Sequence, residues 1–573
     1  MATTLSPREV INQANELKNF WSPRPAVVKS WYELLMQKDN LAKEQMESFV
    51  GNDPRTFYNL AMYLLTRPKI PHAIPTEGLN PIQIRATSDL ERFVTNQWKR
   101  HDRLNRGAGR GRWVNELVSL LLTTGWYSIF APAHENGTYA EIWHPLETFP
   151  EFDSQNPMIG DISIQNLTRV AHWYKIDVKR ARRKIAQLEW DEVNMPAAGS
   201  VDLIDYWFVD EDNVPVNVIV INNQISKQET RYDNLPGIPV ICGCVGGLPD
   251  RGTIIQDNTW KAHVGESILA TNEKVLNSYN KQMTFIVQML RDFAQTRWYQ
   301  KTADGKTILT AQNIFQRGAI FNLGLQDEVG MITPPGIPVE TRTTLFDTRG
   351  MIQRGGFPDA MFGNLQQQMS ASIMTQIADS AQQVLSPFHD GTMIIFEDID
   401  NLWLWQLKNG LTIRTNNTFS YSISADVPSD SEFEVDYKIE IPGALIAKAT
   451  VGRMLNPTFR LSNMKILDML FPEIGDPTLE YSKALADESL MHPIARAIDL
   501  YKSFRDQAQL AEQGSDPDAA ELYYAAANTI RQQITSGSGA GQQPQQQGRA
   551  NPNQQEMARQ EAMVNNPTEE GIM

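Results

Sequence analysis

The sequence runs to 573 residues, enough for roughly three or four ordinary domains or one large elaborated unit. Apolar residues make up 41% and charged residues 21%, so a sizeable core is available. With 52 Lys and Arg against 67 Asp and Glu, the net charge is −15, which argues against a surface coated in cations for tight DNA binding. Two cysteines, Cys242 and Cys244, exclude a disulfide framework and a four-cysteine zinc site; two buried thiols are the expectation.

The opening segment MATTLSPREVINQANELK lacks the apolar core of a secretory signal. The greasiest stretch, Leu117 to Phe130, is too short and too interrupted to span a bilayer, so a soluble protein made inside the cell is expected. The first third reads mainly helical. Ser88–Asp89–Leu90–Glu91 has the form of a capping box opening a helix with Leu90, Val94, Trp98, His101 and Leu104 near one face. A second helix is expected from Arg112 to about Thr124, stopped by Gly125. Strand character follows at Thr138–Trp143, and a basic segment, Lys175 to Lys184, reads as a short surface helix. Val201–Val209 and Val214–Ile221 read as strands joined by the turn Asp210–Glu211–Asp212–Asn213.

From Thr259 to Ala294 no proline occurs, and Val264, Ile268, Val275, Tyr279, Met283, Ile286, Leu290 and Phe293 recur at helical steps apart from a skip near Asn272. That spacing predicts one rod on the order of 54 Å. A β- and turn-rich insert, Arg297 to Val339, separates it from a shorter helix, Glu340 to about Arg354. The polar run Asn364 to Ser372 precedes a helix ending at Pro387, then a further helix with Trp403 and Trp405 and β structure from Leu411. Phe433, Val435, Tyr437, Ile439 and Ile441 alternate with charged residues as in a strand with one wet face. Ala444 to about Ile534 reads as helical, and Ser536 to Met573 as a disordered Gln/Pro/Gly-rich tail.

Sites for chemistry are sparse. The sequence has no G-x-x-x-x-G-K-[ST] loop and no G-x-S-x-G elbow, and Gly107, Gly109 and Gly111 follow a helix, not a strand. The eight histidines contain no H-x-H or H-x-x-x-H pair. Glu397, Asp398 and Asp400 form an acidic knot that could hold Mg²⁺ in a nuclease given a third, distant ligand and a basic cleft; a solvated helix face is the plainer reading. No catalytic, cofactor-binding or metal residue is assigned, and no enzyme is expected. Residues 257–356 carry 11 Lys and Arg against 9 acids, whereas 375–442 carry 3 against 11, so the long-helix segment is mildly basic within an acidic chain. Lys99, Arg100, Arg103, Arg106, Arg110 and Arg112 form a denser cluster, suited to a phosphate backbone or an acidic neighbouring subunit.

The order of these parts resembles tailed-bacteriophage portal proteins, the head-to-tail connectors, from about Asp53 to Ile534. LVSLLLTTGWYSIF (117–130), IWHPLETFPEFD (142–153), PDAMFGNLQQQMSAS (358–372) and FRLSNMKILDMLFPEIGDPTLEYSKALADES (459–489) carry the local likeness. The resemblance implies an α+β, mainly α subunit: a wing region over 1–256, a first stem helix over 257–296 and a clip over 297–339. A second stem helix over 340–357 follows, then tunnel loop, tunnel helix and wing strands over 358–442, a helical crown over 443–535 and the tail over 536–573. It implies a ring, usually of about twelve subunits, at the unique capsid vertex of a virion made in the host cytoplasm. Double-stranded DNA would be packaged through it by a terminase whose large subunit docks on the clip, and later ejected. Head–tail adaptor or tail proteins and the major capsid and scaffold proteins would be further partners, with no membrane and no cofactor. Gln366, Gln367, Gln368 and Met369 would lie near DNA in the tunnel loop, and Lys274, Lys281, Arg291, Arg349 and Arg354 would be basic stem contacts. Trp298 and Tyr299, at the stem–clip junction, read as packing residues. A head–tail adaptor or other structural virion protein is the alternative, and a Mg²⁺-dependent nuclease a remote one.

Overall fold

The computed structural model describes residues 5–39, 48–152, 167–247, 258–294, 297–310, 322–332, 338–357, 371–414, 420–437, 439, 484, 493–513 and 517–535. The protein is α+β and mainly helical, and divides into two units, residues 1–447 and 448–573.

In the first unit, an antiparallel meander orders β5 (Thr148–Phe152), β6 (Leu167–Asp177), β7 (Ser200–Val209), β8 (Pro215–Ile221) and β9 (Gln224–Arg231) side by side. The β7–β8 hairpin falls where the sequence predicts it, with Val209 opposite Pro215. Both faces of this sheet are covered, which explains why every residue of β8 is buried. Helix α1 (Pro7–Phe20), opened by the Ser6/Glu9 capping box, lays Val10, Ala14 and Leu17 on the face carrying Ile204, Tyr206, Val218 and Val220. On the other face, helix α6 (Val178–Leu188) packs Val178, Ala181 and Ile185 against Val201, Leu203, Ile219 and Ile221.

The main core is helical. It joins α3 (Asp53–Thr66), α4 (Pro81–Gly107), α5 (Trp113–Thr124) and α9 (Ala371–Lys408) around β1 (Trp126–Phe130), which pairs with β10 (Val240–Cys244) and β4 (Glu141–Ile142). Trp98 sits at its centre, with ring centroids 4.7 Å from Trp113, 4.7 Å from Phe396 and 5.0 Å from Trp403. Helix α5 ends as its sequence predicts: Gly125 takes φ of 66° and donates its N–H to Leu121 O. The strand expected over Thr138–Trp143 resolves into two short pieces, β3 (Gly137–Thr138) and β4. Helix α4, in contrast, opens eight residues before the expected Ser88. The cap is Asn80, whose side chain accepts from Ile82 and Gln83, with Pro81 preset for the first turn, while Glu91 accepts from the Ile74 N–H.

Two helix lengths depart from expectation. The rod predicted from Thr259 is shorter: a 3₁₀ turn (Asn258–His263) and a second one (Ala270–Asn272) precede α7, which spans Glu273–Ala294. Between them Gly265 adopts φ of 79°, and a Cβ there would lie 2.5 Å from Gly125 O. The Val264 carbonyl meanwhile accepts from Trp126 Nε1. This tight passage over β1 uses backbone geometry that a helix cannot supply. Conversely, the helix expected to stop at Pro387 continues to Lys408. Leu385, Phe388, Ile395, Phe396, Ile399, Leu402 and Trp403 are buried along that run. Burial at roughly 1.5–3 kcal/mol each outweighs a proline cost of about 3 kcal/mol.

The alternation over Phe433–Ile441 is present as burial: Phe433, Val435, Tyr437 and Ile439 all point inward. The segment joins no sheet ladder among the described residues, however, and makes only a bridge between Glu434 and Ala73. Side chains from one face of α9 take the ladder's place. Lys408 donates to Ser429 O and Ser431 O, Asn401 accepts from Phe433 N–H, and Glu397 accepts from Val435 N–H. Further along, His389 Nε2 donates to Tyr437 O and Gln382 to Ile439 O. The steps 382, 389, 397, 401 and 408 keep these groups on one stripe of the helix.

In the second unit, α10 (Pro493–Gln513) and α11 (Pro517–Thr535) pack along each other. Ala508, Ala520 and Ala527 are buried, and Phe504 stacks on Tyr523. Both lie in the stretch read as helical; the sequence run 459–489, apart from Ala484, and the tail 536–573 lie outside the described residues.

Candidate functional site

The feature that stands apart from the core is a helix pair carrying a hairpin. Helix α7 leads to β11 (Arg297–Lys301), which pairs antiparallel with β12 (Glu328–Ile332), and α8 (Val339–Arg354) returns alongside α7. The expected helix, β insert and returning helix are therefore present, with α8 matching its predicted span.

The foot of this module is anchored. Glu273, at the start of α7, accepts from Ser30 Oγ at 2.7 Å and from Trp31 Nε1 at 2.9 Å, both on α2 (Arg24–Leu35). Asn272 donates to Ile352 O at 2.9 Å, tying the entry of α7 to the exit of α8. Gly355 is required there, since a Cβ would meet Asn272 Oδ1 at 2.2 Å. Phe357 is fully buried edge-on to Phe57, and Leu276 and Ile352 join the main core. Farther up, Thr284 Oγ1 accepts from Phe49 N–H and Asn280 Oδ1 from Gly51 N–H.

Away from the foot, apolar side chains face outward. Phe285 is 61% exposed, Phe346 74% and Val339 73%, and Leu290, Met331 and Ile332 are exposed as well. In the hairpin, Tyr299 lies over Gly330, where a Cβ would meet its ring at 2.5 Å, and its hydroxyl donates to Glu328 at 2.8 Å. Trp298 and Tyr299, expected to pack, remain exposed within the single chain apart from that contact. Gln300 accepts from the N–H groups of Ile308 and Leu309, fixing the chain beyond β11.

Lys274 and Lys281, seven residues apart, share one exposed face of α7. Arg291 is exposed near the end of α7, about a quarter-turn away. Arg349 comes close enough to Tyr279 to act on its hydroxyl, so it lies toward α7, and Arg354 is exposed at the foot of α8. The five cations are thus distributed over several faces. Gln366, Gln367, Gln368 and Met369 lie outside the described residues.

The acidic knot is dispersed by the fold. Asp400 is fully buried, with Oδ2 2.6 Å from His72 Nδ1 and Oδ1 accepting from Trp98 Nε1. Glu397 is engaged with Val435, and burial, then Glu397, pushes the Asp398 carboxyl up to about 7. Among the described residues no three His, Cys, Asp or Glu side chains gather as a metal site. Of the basic cluster at the end of α4, Arg100 donates to Asn136 O, Arg110 pairs with Glu116 and Arg112 with Asp102. Lys99, Arg103 and Arg106 stay exposed on its outer ridge. The cysteines also divide: Cys242 is buried, its thiol pushed up by burial, while Cys244 is exposed, correcting the expectation of two buried thiols.

Sequence reasoning missed Asp400 as a structural junction, because His72 is 328 positions away and no local pattern links them. It also missed the outward apolar pair of α8, although Val339 and Phe346, seven residues apart, were there to be read.

No protein-family model matches the sequence, and no curated protein matches it. Among solved structures, the chain is similar to one from the neck of an empty GTA particle computed with C6 symmetry. The two share 12% identity with a TM-score of 0.39, over 73% of this chain and 90% of that one. It is also similar to a chain from the neck of a native GTA particle computed with C12 symmetry, at 12% identity and a TM-score of 0.38, over 74% of this chain and 90% of that one.

Proposed function

We propose that this protein is a structural subunit of a ring-shaped head-to-tail connector in a phage-like particle, and within that class the portal. The observation that carries the reading is the α7–hairpin–α8 module, rooted in the core at Asn272 and Ile352 and presenting Phe285, Phe346 and Val339 to the outside. Exposed side chains of this kind on a paired-helix scaffold call for a neighbour, and copies arranged in a closed ring supply one on each side. Wing, stem, clip and crown then correspond to the spans given by the sequence. The terminase large subunit would dock on the clip, 297–339, with adaptor or tail proteins, capsid and scaffold as the other partners.

In this reading Lys274, Lys281, Arg291, Arg349 and Arg354 supply modest basic contacts, and Gln366, Gln367, Gln368 and Met369 an uncharged sliding surface. An acidic protein with few cations along the DNA path would let a polyanion move without arresting it. Replacing those five cations by Ala should alter DNA packaging or retention; unchanged packaging would remove the basic contacts from the account. An adaptor reading also requires a ring, but gives no role to a hairpin between two helices. Replacing residues 298–331 with a short Gly/Ser link should leave rings intact and abolish packaging in an assembly system. Normal packaging by that variant would favour the adaptor.

A further inference from the structure

Helix α6 has a composition that its own fold does not use. Its sequence VKRARRKIAQL contains no acid, and the apolar side chains Val178, Ala181 and Ile185 are spent on the five-stranded sheet, with Leu188 at the last position half-exposed. Lys179, Arg180 and Arg183 point away from that buried stripe, Arg182 lies on the flank, and Lys175 is exposed at the end of β6; all five are exposed. Among the described residues none of them forms an ion pair. Arg182 only reaches Pro196 O at 3.5 Å, whereas Lys184 is occupied by the Tyr174 hydroxyl. Lys179 with Arg183, and Arg180 with Arg183, stand one turn apart, a like-charge arrangement that weakens a helix by about 0.2–0.5 kcal/mol per pair. In a chain of net charge −15, such a ridge runs against the overall charge, as does the outer ridge Lys99, Arg103 and Arg106 of α4.

We infer that the outer face of α6 is a contact for the phosphate backbone of double-stranded DNA. Three observations select this partner. The ridge sets its arginines beside further cations, Ala186 and Gln187, with no aromatic or methionine side chain to form the packed centre that arginine anchors join in protein–protein contacts. Its apolar stripe is already buried, and Leu188 alone, half-exposed at the last position, is not the apolar face that a lipid surface requires. Its guanidinium groups, one helical turn apart on a rigid sheet, suit phosphates, which position a duplex without reading its sequence. The choice of DNA as the polyanion rests on the connector reading. The contact lies on the sheet rather than on the hairpin module, and is additional to the stem and tunnel-loop residues.

The test is binding of the full chain to a fluorescent 30-base-pair duplex over a salt series. The comparison is with Lys179→Gln, Arg180→Gln, Arg182→Gln and Arg183→Gln combined. These exposed positions leave the buried face intact, and glutamine keeps helix propensity. The variant should lose about 0.9 in the slope of log affinity against log salt for each contact removed, and bind about tenfold or more weakly at low salt. Arg180→Lys, Arg182→Lys and Arg183→Lys combined should retain the slope. An unchanged slope in the Gln variant, or loss of the slope in the Lys variant, overturns the inference. Micrographs of the same samples separate the two proposals. Rings with unaltered DNA binding would sink the α6 contact and leave the connector standing, whereas absent rings in the parent protein would sink the connector while the slope still reports on α6. Loss of rings in the Gln variant with DNA affinity kept would assign the ridge to an acidic neighbouring subunit instead, and overturn the DNA contact.

Discussion

His72 Nδ1 lies 2.6 Å from Asp400 Oδ2, joining the segment before α4 to the last third of α9 across the tryptophan-rich core. Trp98 Nε1 holds the other carboxylate oxygen at 2.8 Å, so the buried acid is gripped from two elements. Asp400→Ala would leave both donors buried without an acceptor. It should cost about 3 kcal/mol or more, read as a lower denaturation midpoint with a loss of near-ultraviolet tryptophan signal. An unfolding free energy within about 0.5 kcal/mol of the parent would contradict the junction role.

Asn401 both accepts from Phe433 N–H and donates to Phe433 O, acting as a strand edge made from a side chain. Asn401→Ala should cost about 1–3 kcal/mol. It should also speed amide exchange at Phe433 and Val435 while β6 to β8 keep their protection. Equal protection in parent and variant would show that the extended segment is held by its buried side chains alone.

Asp398 gives a pH dependence of defined sign. Its folded-state value, raised by burial to about 7, lies above the ordinary 3.8. Between these values the native state holds a proton that the unfolded chain has released, so this group makes stability fall as pH rises from about 4 to about 7. Asp398→Asn should therefore stabilise the protein above pH 7, on the order of a few kcal/mol at most, and change little near pH 4. Equal thermal shifts at pH 4 and pH 8 would refute this.

The parts legible in the sequence were those governed by local chemistry. Gly125 ends α5 because only a left-handed residue closes that turn, and the 210–213 run marks a hairpin by its polar, turn-forming residues. Alternation over 433–439 revealed which side chains are buried, but not that α9 rather than a strand would satisfy the backbone, since Gln382, His389, Glu397, Asn401 and Lys408 look like an ordinary polar face. The break before α7 depends on Gly265 passing over Gly125, and the continuity through Pro387 on burial contributed by α3, α5 and β10. Both are tertiary effects. In the candidate site, the order helix, hairpin, helix was readable, whereas the locking pair Asn272 and Ile352 was not.

The outward apolar residues of the helix pair make an assembly prediction. Phe285→Glu with Phe346→Glu should leave the monomer's unfolding free energy within about 0.5 kcal/mol of the parent, because both are mostly solvent-exposed in the single chain. The same variant should fail to form large species in light scattering. Normal assembly would mean that this face is not between subunits.

The most direct test of the connector account is negative-stain electron microscopy of the purified full chain, with mass by light scattering on the same sample. Closed rings with a central hole and a mass of about twelve times 64.8 kDa are predicted, and another subunit number would preserve the class. A monodisperse 64.8 kDa monomer across concentration and salt, with Phe285 and Phe346 remaining solvent-exposed, would contradict it.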